Sequence, residues 1–317
     1  MGGAMAGSAI CSSPSMSYEL DTVTLTVNNT CNLDCPHCYL QYGGGPQFLS
    51  LADLERVLAS QFRHLCIVGK EPLANAASAD LVARMVGRVA ELGRSTSIIT
   101  NGLNLRLLPV EALARLAWVD ISLDSSPELY SSYRGGSFSK LSRGIEFARR
   151  HGLQDLRILN AIAAQNIVQL DAMLEGSFAF CPTMVVISPF QQTRAQGRQF
   201  VAMVHPRELY RAVAASRFRD RADLRIILDA GYLNNFAGAE WLRPFEDTFG
   251  SRMTLVATDP IDRGLIRVTY DGLVLSPLES VHTDDYSRLG RRLADMPLND
   301  WFYAVRNEKL ADAGACG

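Results

Sequence analysis

At 317 residues the chain is long enough to bury a sizeable core as one large α/β unit with a small appendage. Its 48% hydrophobic and 20% charged residues are ordinary for a globular protein, and a formal net charge of −2 argues against recognition of nucleic acid or of an acidic membrane by bulk electrostatics. No apolar run reaches the ~18–20 residues needed to cross a bilayer. Residues 1–17, rich in Gly, Ala and Ser, lack the basic and apolar segments of a secretion signal, so a disordered arm and a cytoplasmic location are expected.

The predicted elements alternate along the chain. Residues 18–27 are β-branched and alternating, a first strand. A cysteine-bearing loop follows, broken off by Gly43-Gly44-Gly45-Pro46. Ser50 N-caps a helix over 51–61, with Asp53 forming a weak capping box. Residues 64–68 form strand two, and Ser78 caps a helix that runs to 92 and stops at Gly93. Strand three (96–100) ends in Asn101-Gly102, and a helix covers 109–116. Strand four (119–123) runs into Asp124; a helix (139–151), strand five (156–163), a helix (167–174) and strand six (184–188) follow.

Six strand–helix units at regular spacing imply parallel strands with right-handed crossovers. The fold class is α/β, a partial (β/α)6 TIM-like barrel over residues 18–200. Ligands of such folds sit at the carboxyl ends of the strands, where Cys31–Cys38, Gly69–Pro72, Asn101 and Asp124 cluster. Beyond residue 200 the pattern changes to a helix (206–222), a strand (224–228), a hairpin (265–275) around Asp271-Gly272 and a helix (297–309). Residues 201–317 therefore read as a small α+β C-terminal extension.

The cysteines carry the chemistry. Cys31, Cys35 and Cys38 fall within eight positions; Cys11, Cys66, Cys181 and Cys316 are scattered. An odd count with a local triplet in a long chain reads as metal binding rather than as a disulfide framework. Three thiolates in one loop can each take one iron of a cubane cluster and leave the fourth iron without a protein ligand. Zinc is the alternative, but it wants four ligands, and His37, between two of the cysteines, would strain the chelate. Cys66 and Cys181, in or beside apolar strands, read as buried inert thiols, with Cys181 as a hydrogen-atom donor the sharper option.

The string CNLDCPHCYL, with its C-x3-C-x2-C spacing, resembles the signature of the radical S-adenosylmethionine (SAM) superfamily, and in particular its SPASM/twitch-type branch. Gly69-Lys70-Glu71-Pro72 is similar to that family's GGEP motif, with Lys70 in place of a glycine; Thr100-Asn101-Gly102 and Ser122-Leu123-Asp124 are similar to strings after strands three and four. The resemblance spans roughly residues 20–200. It implies a [4Fe–4S] cluster on Cys31, Cys35 and Cys38, with SAM chelating the open iron and cleaving to a 5′-deoxyadenosyl radical. It implies that Gly69, Lys70 and Glu71 meet the SAM amino group, that Ser122 and Arg143 hold its carboxylate, that Asp124 or Asn101 holds the ribose, and that His37 lies against the adenine. An external one-electron reductant such as flavodoxin or ferredoxin is implied as well.

Relatives of the SPASM/twitch type carry auxiliary-cluster cysteines after the barrel. This chain has only Cys316 there, so a single cluster under a degenerate twitch-like cap is expected. Fewer than twenty residues precede strand one, too few for a leader-binding domain, which favours a small-molecule or short-peptide substrate in natural-product biosynthesis. Candidate polar contacts are Gln191, Gln192, Arg194, Tyr232 and Glu279, with Asp229, after a predicted strand, as the candidate general base. Two other readings stay open: a ribosomal-peptide maturase using a separate leader-binding partner, and a non-catalytic Fe–S or SAM-binding protein.

Overall fold

The structure, a computed structural model, describes residues 20–35, 37–38, 40, 45–190, 194–196, 199–256, 260–279 and 286–314. The six expected strands are present: β1 (Thr22–Thr26), β2 (His64–Val68), β3 (Ser95–Thr100), β4 (Trp118–Ser122), β5 (Leu156–Ile162) and β6 (Met184–Pro189). They pair in sequence order, each parallel to the next. Between them run α1 (Leu51–Leu58), α2 (Ala76–Glu91), α3 (Val110–Arg115), a short α4 (Tyr130–Arg134), α5 (Phe138–Arg150) and α6 (Leu170–Ala179). Among the described residues this is the expected partial TIM-like barrel of parallel strands.

Helix starts follow side-chain capping. Ser50 caps α1 by accepting from the Asp53 N–H, as expected. Helix α2 starts earlier than expected: Asn75 caps it by accepting the Ser78 N–H, and Ser78 is buried inside the first turn. Ser137, not Ser139, caps α5.

The C-terminal segment does not form a body apart from the barrel. After a β7 (Arg194–Gln196) and β8 (Gln199–Val201) hairpin come α7 (Pro206–Ala215), β9 (Leu224–Asp229), α8 (Ala230–Asn234), α9 (Leu242–Phe249) and β10 (Met253–Val256). β9 pairs parallel to β6 and β10 parallel to β9, so both extend the same sheet past the boundary expected near residue 200. At the other edge β11 (Leu265–Val268) pairs parallel to β1 and antiparallel to β12 (Val274–Leu275), with Gly272 at φ +77° in the connecting turn. α10 (Leu298–Gly314) closes the described chain.

Period-two alternation divides each strand between two environments. Val23, Leu25, Leu65, Ile67, Ile98, Val119, Ile121, Ile158, Val185 and Ile187 are buried. The alternate residues face the concave side, and deep on that side they are polar. His64 stacks on Trp118 with ring centroids 4.3 Å apart and pairs its two ring nitrogens with Ser95 and Ser97. The Arg157 guanidinium lies over the same indole, whose N–H donates to Asp120 at 2.9 Å.

Burial presses the His64 pKa down to about 4 and pushes the Asp120 carboxyl up to about 6. Between pH 6.5 and 4 the unfolded chain binds more protons at His64, so that contribution to stability is present above 6.5 and lost as pH falls. Asp120 works the other way: the folded state holds its proton between pH 3.8 and 6, so its contribution is present at low pH and lost as pH rises. Each shift is of the order of ~3 kcal/mol at ~1.4 kcal/mol per pKa unit. In urea denaturation, the stability of wild type relative to Asp120→Asn should therefore rise by roughly 2–3 kcal/mol as pH is lowered from 6 to 4. A difference that stays level over that window would contradict burial as the dominant influence on this carboxyl.

Candidate active site

A cavity of about 510 Å³ opens at the carboxyl ends of the strands. Its walls bring together Cys31, Cys35, His37, Cys38, Gly69, Lys70, Glu71, Asn101, Ser122 and Asp124, residues from four separate stretches of sequence. Val201, Ile227 and Arg267 add a contribution from the C-terminal segment.

The cysteine loop is held at its base. Asn28 and Phe48 form an antiparallel bridge, and the Asn29 N–H and the Gln47 carbonyl, 3.3 Å apart, tie the two ends together. Within the loop the Cys38 N–H donates to the Cys35 carbonyl at 3.0 Å, a turn that puts these two cysteines on one side. The Leu33 N–H donates to Cys31 Sγ at 3.3 Å, the Cys35 thiol faces the Arg134 carbonyl at 3.3 Å, and the Cys38 thiol faces the Leu40 carbonyl at 3.6 Å. Burial pushes the Cys31 thiol up to about 12 and the Cys35 thiol up to about 11. Among the described residues no trio of His, Cys, Asp or Glu side chains converges on one metal ion. A cubane asks for no such convergence, because its ligands meet separate corners.

The loop after β2 is anchored beneath the cavity. Glu71 is 2% exposed, and its carboxylate accepts from the Leu73 N–H (2.9 Å), the Asn101 N–H (2.7 Å) and the Thr100 hydroxyl (2.5 Å). Burial raises its pKa against the pull of these three donors. Its carbonyl accepts from Asn28 Nδ2 at 2.8 Å. The Glu71 carboxylate, expected at a ligand amino group, is held here by three donors of its own chain and bolts β2 to β3. Gly69 sits where a Cβ would lie 2.9 Å from Asn28 Oδ1 and 3.1 Å from the Pro72 nitrogen. Gly69→Ala is expected to displace Asn28 and cost roughly 1–3 kcal/mol by overpacking, measured as a lower denaturation midpoint; an unchanged midpoint would contradict it. Lys70 lines the cavity half-buried, its N–H on the Asn28 carbonyl at 3.2 Å.

Asn101 reaches back to the cysteine loop, its Nδ2 donating to Asn32 Oδ1 at 2.8 Å while its Oδ1 accepts the Leu103 N–H. Asp124 is 4% exposed and adopts φ +58°. It accepts from His37 Nε2 (3.2 Å), from the Ala161 N–H (2.7 Å) and from Arg134. Both carboxylate oxygens are thereby engaged, and the Arg134 guanidinium with the His37 ring holds the Asp124 carboxyl below its ordinary range against the opposing effect of burial. The carboxylate expected at the ribose is held here by donors of its own chain. His37 stacks on Tyr133 at 4.5 Å with Phe190 edge-on at 6.1 Å.

Two expected site residues lie elsewhere. Arg143 is exposed on α5 and is not part of the cavity wall; the arginine that lines it is Arg134, the last residue of α4. Its sequence signal is Tyr130–Arg134 followed by Gly135, a helix end with a basic final residue and a left-handed glycine. Asp229 N-caps α8 by accepting the Gly231 and Tyr232 N–H groups, and it does not line the cavity. A strand-final acid suits a cap and a base equally well in sequence. Tyr232 is fully buried with its hydroxyl on the Val204 carbonyl, and Glu279 is buried against Arg291 and Lys309. Neither faces the cavity. Cys181 is exposed rather than buried, and Cys66 is half-buried on β2. Gln191, Gln192, Cys11 and Cys316 lie outside the described residues, and the Arg194 side chain does too.

Residues 25–166 match the model of the radical SAM superfamily. The chain is 23% identical over 270 residues to a probable GTP 3′,8-cyclase of Methanococcus aeolicus, covering 81% of this chain and 84% of that protein. In fold it is similar to SuiB of Streptococcus suis bound to its precursor peptide SuiA, with TM-score 0.67 and 15% identity over 90% of this chain and 65% of that one, so it spans just under two thirds of SuiB. It is similar also to anSMEcpe with bound AdoMet and the Cp18Cys peptide, with TM-score 0.55 and 17% identity over 90% of this chain and 80% of that one. Among the described residues no helix is long and apolar enough to cross a membrane. Strand order, the position of the cavity and the family match agree over the same region: residues 25–166 are a radical SAM superfamily region.

Proposed function

We propose that Cys31, Cys35 and Cys38 hold a [4Fe–4S] cluster with one iron left to SAM, and that the enzyme abstracts hydrogen from a small molecule or from one residue of a short peptide. The donor set carries the reading. Three thiols share one wall, the only histidine on the described lining is tied by its Nε2 to Asp124, and no fourth cysteine lines the described cavity. When bound, cluster and SAM supply a 5′-deoxyadenosyl radical, with the electron from a flavodoxin- or ferredoxin-like reductant. The chain's residues position these groups and keep water out.

In this reading the carbonyls of the Gly69-Lys70 turn, carried by the Glu71 bolt, face the SAM amino group. Ser122 meets the SAM carboxylate, Asn101 fixes the cysteine loop, and Arg134 takes the place expected of Arg143. At about 510 Å³ the cavity lies within the ~300–1,000 Å³ of small-molecule sites. That volume holds a cofactor with a side-chain-sized substrate group, not an extended peptide. Val201, Ile227 and Arg267 bring the described part of the C-terminal segment onto the cavity as a cap.

The peptide-bound solved structures favour a second form of the same reading, a peptide maturase that presents one residue to the cavity. Anaerobic reconstitution followed by reaction with dithionite and SAM tests the common claim. Release of 5′-deoxyadenosine with about four irons per chain is the expected result. Iron near eight per chain would overturn the single-cluster reading, and SAM left intact would overturn the enzymatic one.

A further inference from the structure

The interior of the cavity wall contains a buried ion pair whose effect on the cluster the reading above does not use. Asp124 and Arg134 are 4% and 8% exposed. Two features set this pair apart from a structural salt bridge. First, both partners touch the cysteine loop: Asp124 through His37, which lies between Cys35 and Cys38, and Arg134 through its own carbonyl, 3.3 Å from Cys35 Sγ. Second, burying an ion pair is weak as a source of stability, because desolvation offsets the attraction. Its position against the loop calls for another reason.

Resting on the functional reading above, we propose that the Asp124–Arg134 pair sets the reduction potential of the cluster held by Cys31, Cys35 and Cys38, with Arg134 raising it and Asp124 lowering it. The physical ground is Coulomb's law in a poorly screened site. Reduction adds one electron, taken from the external reductant, to a cluster that already carries its thiolates' negative charge. The positive charge of Arg134, whose own carbonyl lies 3.3 Å from Cys35 Sγ, favours the added charge, and the Asp124 carboxylate that holds its guanidinium opposes it. Glu71 is the other acid on the described lining, and its carboxylate lies behind the wall, on Leu73, Thr100 and Asn101. His37 and Ala161 keep Asp124 in place when Arg134 is changed.

The test is an anaerobic redox titration of the reconstituted holoprotein, read by the electron paramagnetic resonance of the reduced cluster. Asp124→Asn keeps the shape, and asparagine tolerates the positive φ of this position. It should shift the oxidised-to-reduced ratio at fixed potential about tenfold toward reduced, equivalent to about 59 mV upward for one electron. Arg134→Gln should shift it in the opposite direction by a similar factor, and Arg134→Lys, which keeps the charge, should stay near wild type. The double variant Asp124→Asn/Arg134→Gln restores the charge balance and should return to within about threefold of the wild-type ratio. A purely structural role moves both single variants the same way and the double variant furthest; that pattern, or an Asp124→Asn potential equal to or below wild type, overturns the proposal. If Arg134→Gln holds no iron, the Asp124→Asn and Arg134→Lys arms decide it alone. A wild-type chain that assembles no cubane would sink the functional reading and this inference with it, whereas a cubane indifferent to the pair sinks only the inference.

Discussion

Replacing any one of Cys31, Cys35 or Cys38 by alanine is expected to abolish SAM cleavage while leaving the fold intact. The three thiols line the cavity half-buried, outside the apolar packing of the sheet, so truncating one removes a ligand rather than a core contact. Loss of a partner that merely orients a metal ligand costs about 10–100-fold; loss of a ligand itself should reduce 5′-deoxyadenosine release by more than about 100-fold and leave iron well below four per chain. Circular dichroism and the denaturation midpoint should stay close to wild type, because these residues cap no helix and pair in no strand. Cys66→Ala and Cys181→Ala are the controls, expected to retain iron and activity. A Cys35→Ala protein that still cleaved SAM at the wild-type rate would contradict the assignment.

Glu71→Ala is the substitution expected to damage stability most. It removes the one acceptor for two buried N–H groups, of Leu73 and Asn101, and for the Thr100 hydroxyl. A buried polar group left unsatisfied costs ~1–3 kcal/mol. The expected loss is therefore about 3–9 kcal/mol, a large fraction of the ~5–15 kcal/mol that holds a typical domain folded. Glu71→Gln keeps the volume and one carbonyl oxygen, and should lose roughly half as much. Equilibrium urea denaturation reads both. A Glu71→Ala chain as stable as wild type would mean that this carboxylate faces the ligand instead of the backbone, as the motif resemblance first implied.

That exchange of roles shows where sequence reasoning stops. The six strands were legible because β-branched runs of five to seven residues alternate with amphipathic helices, and period alone separates the two. Helix caps were legible in kind and misplaced by two or three positions: Asn75 and Ser78, or Ser137 and Ser139, are equally good capping residues, and only the backbone path selects one. The cysteine loop was legible because its spacing is local. The partners of Asp124 were not, since His37, Arg134 and Ala161 lie 87, 10 and 37 positions from it. Arg143 and Arg134 both end up on helices after strand four, and packing of α4 against the cysteine loop, invisible in a linear pattern, decides which one reaches the cavity. The parallel return of β11 onto β1 was missed for the same reason: a hairpin signal says how two strands turn, not which third strand receives them.

The most direct measurement of the vacant iron is a Mössbauer spectrum of the chain reconstituted with isotopically enriched iron, recorded with and without SAM. A cubane in which one iron of the four changes its isomer shift when SAM is added is the result this account expects. Four irons that ignore SAM, or a loop that takes up zinc in place of a cubane, would contradict it.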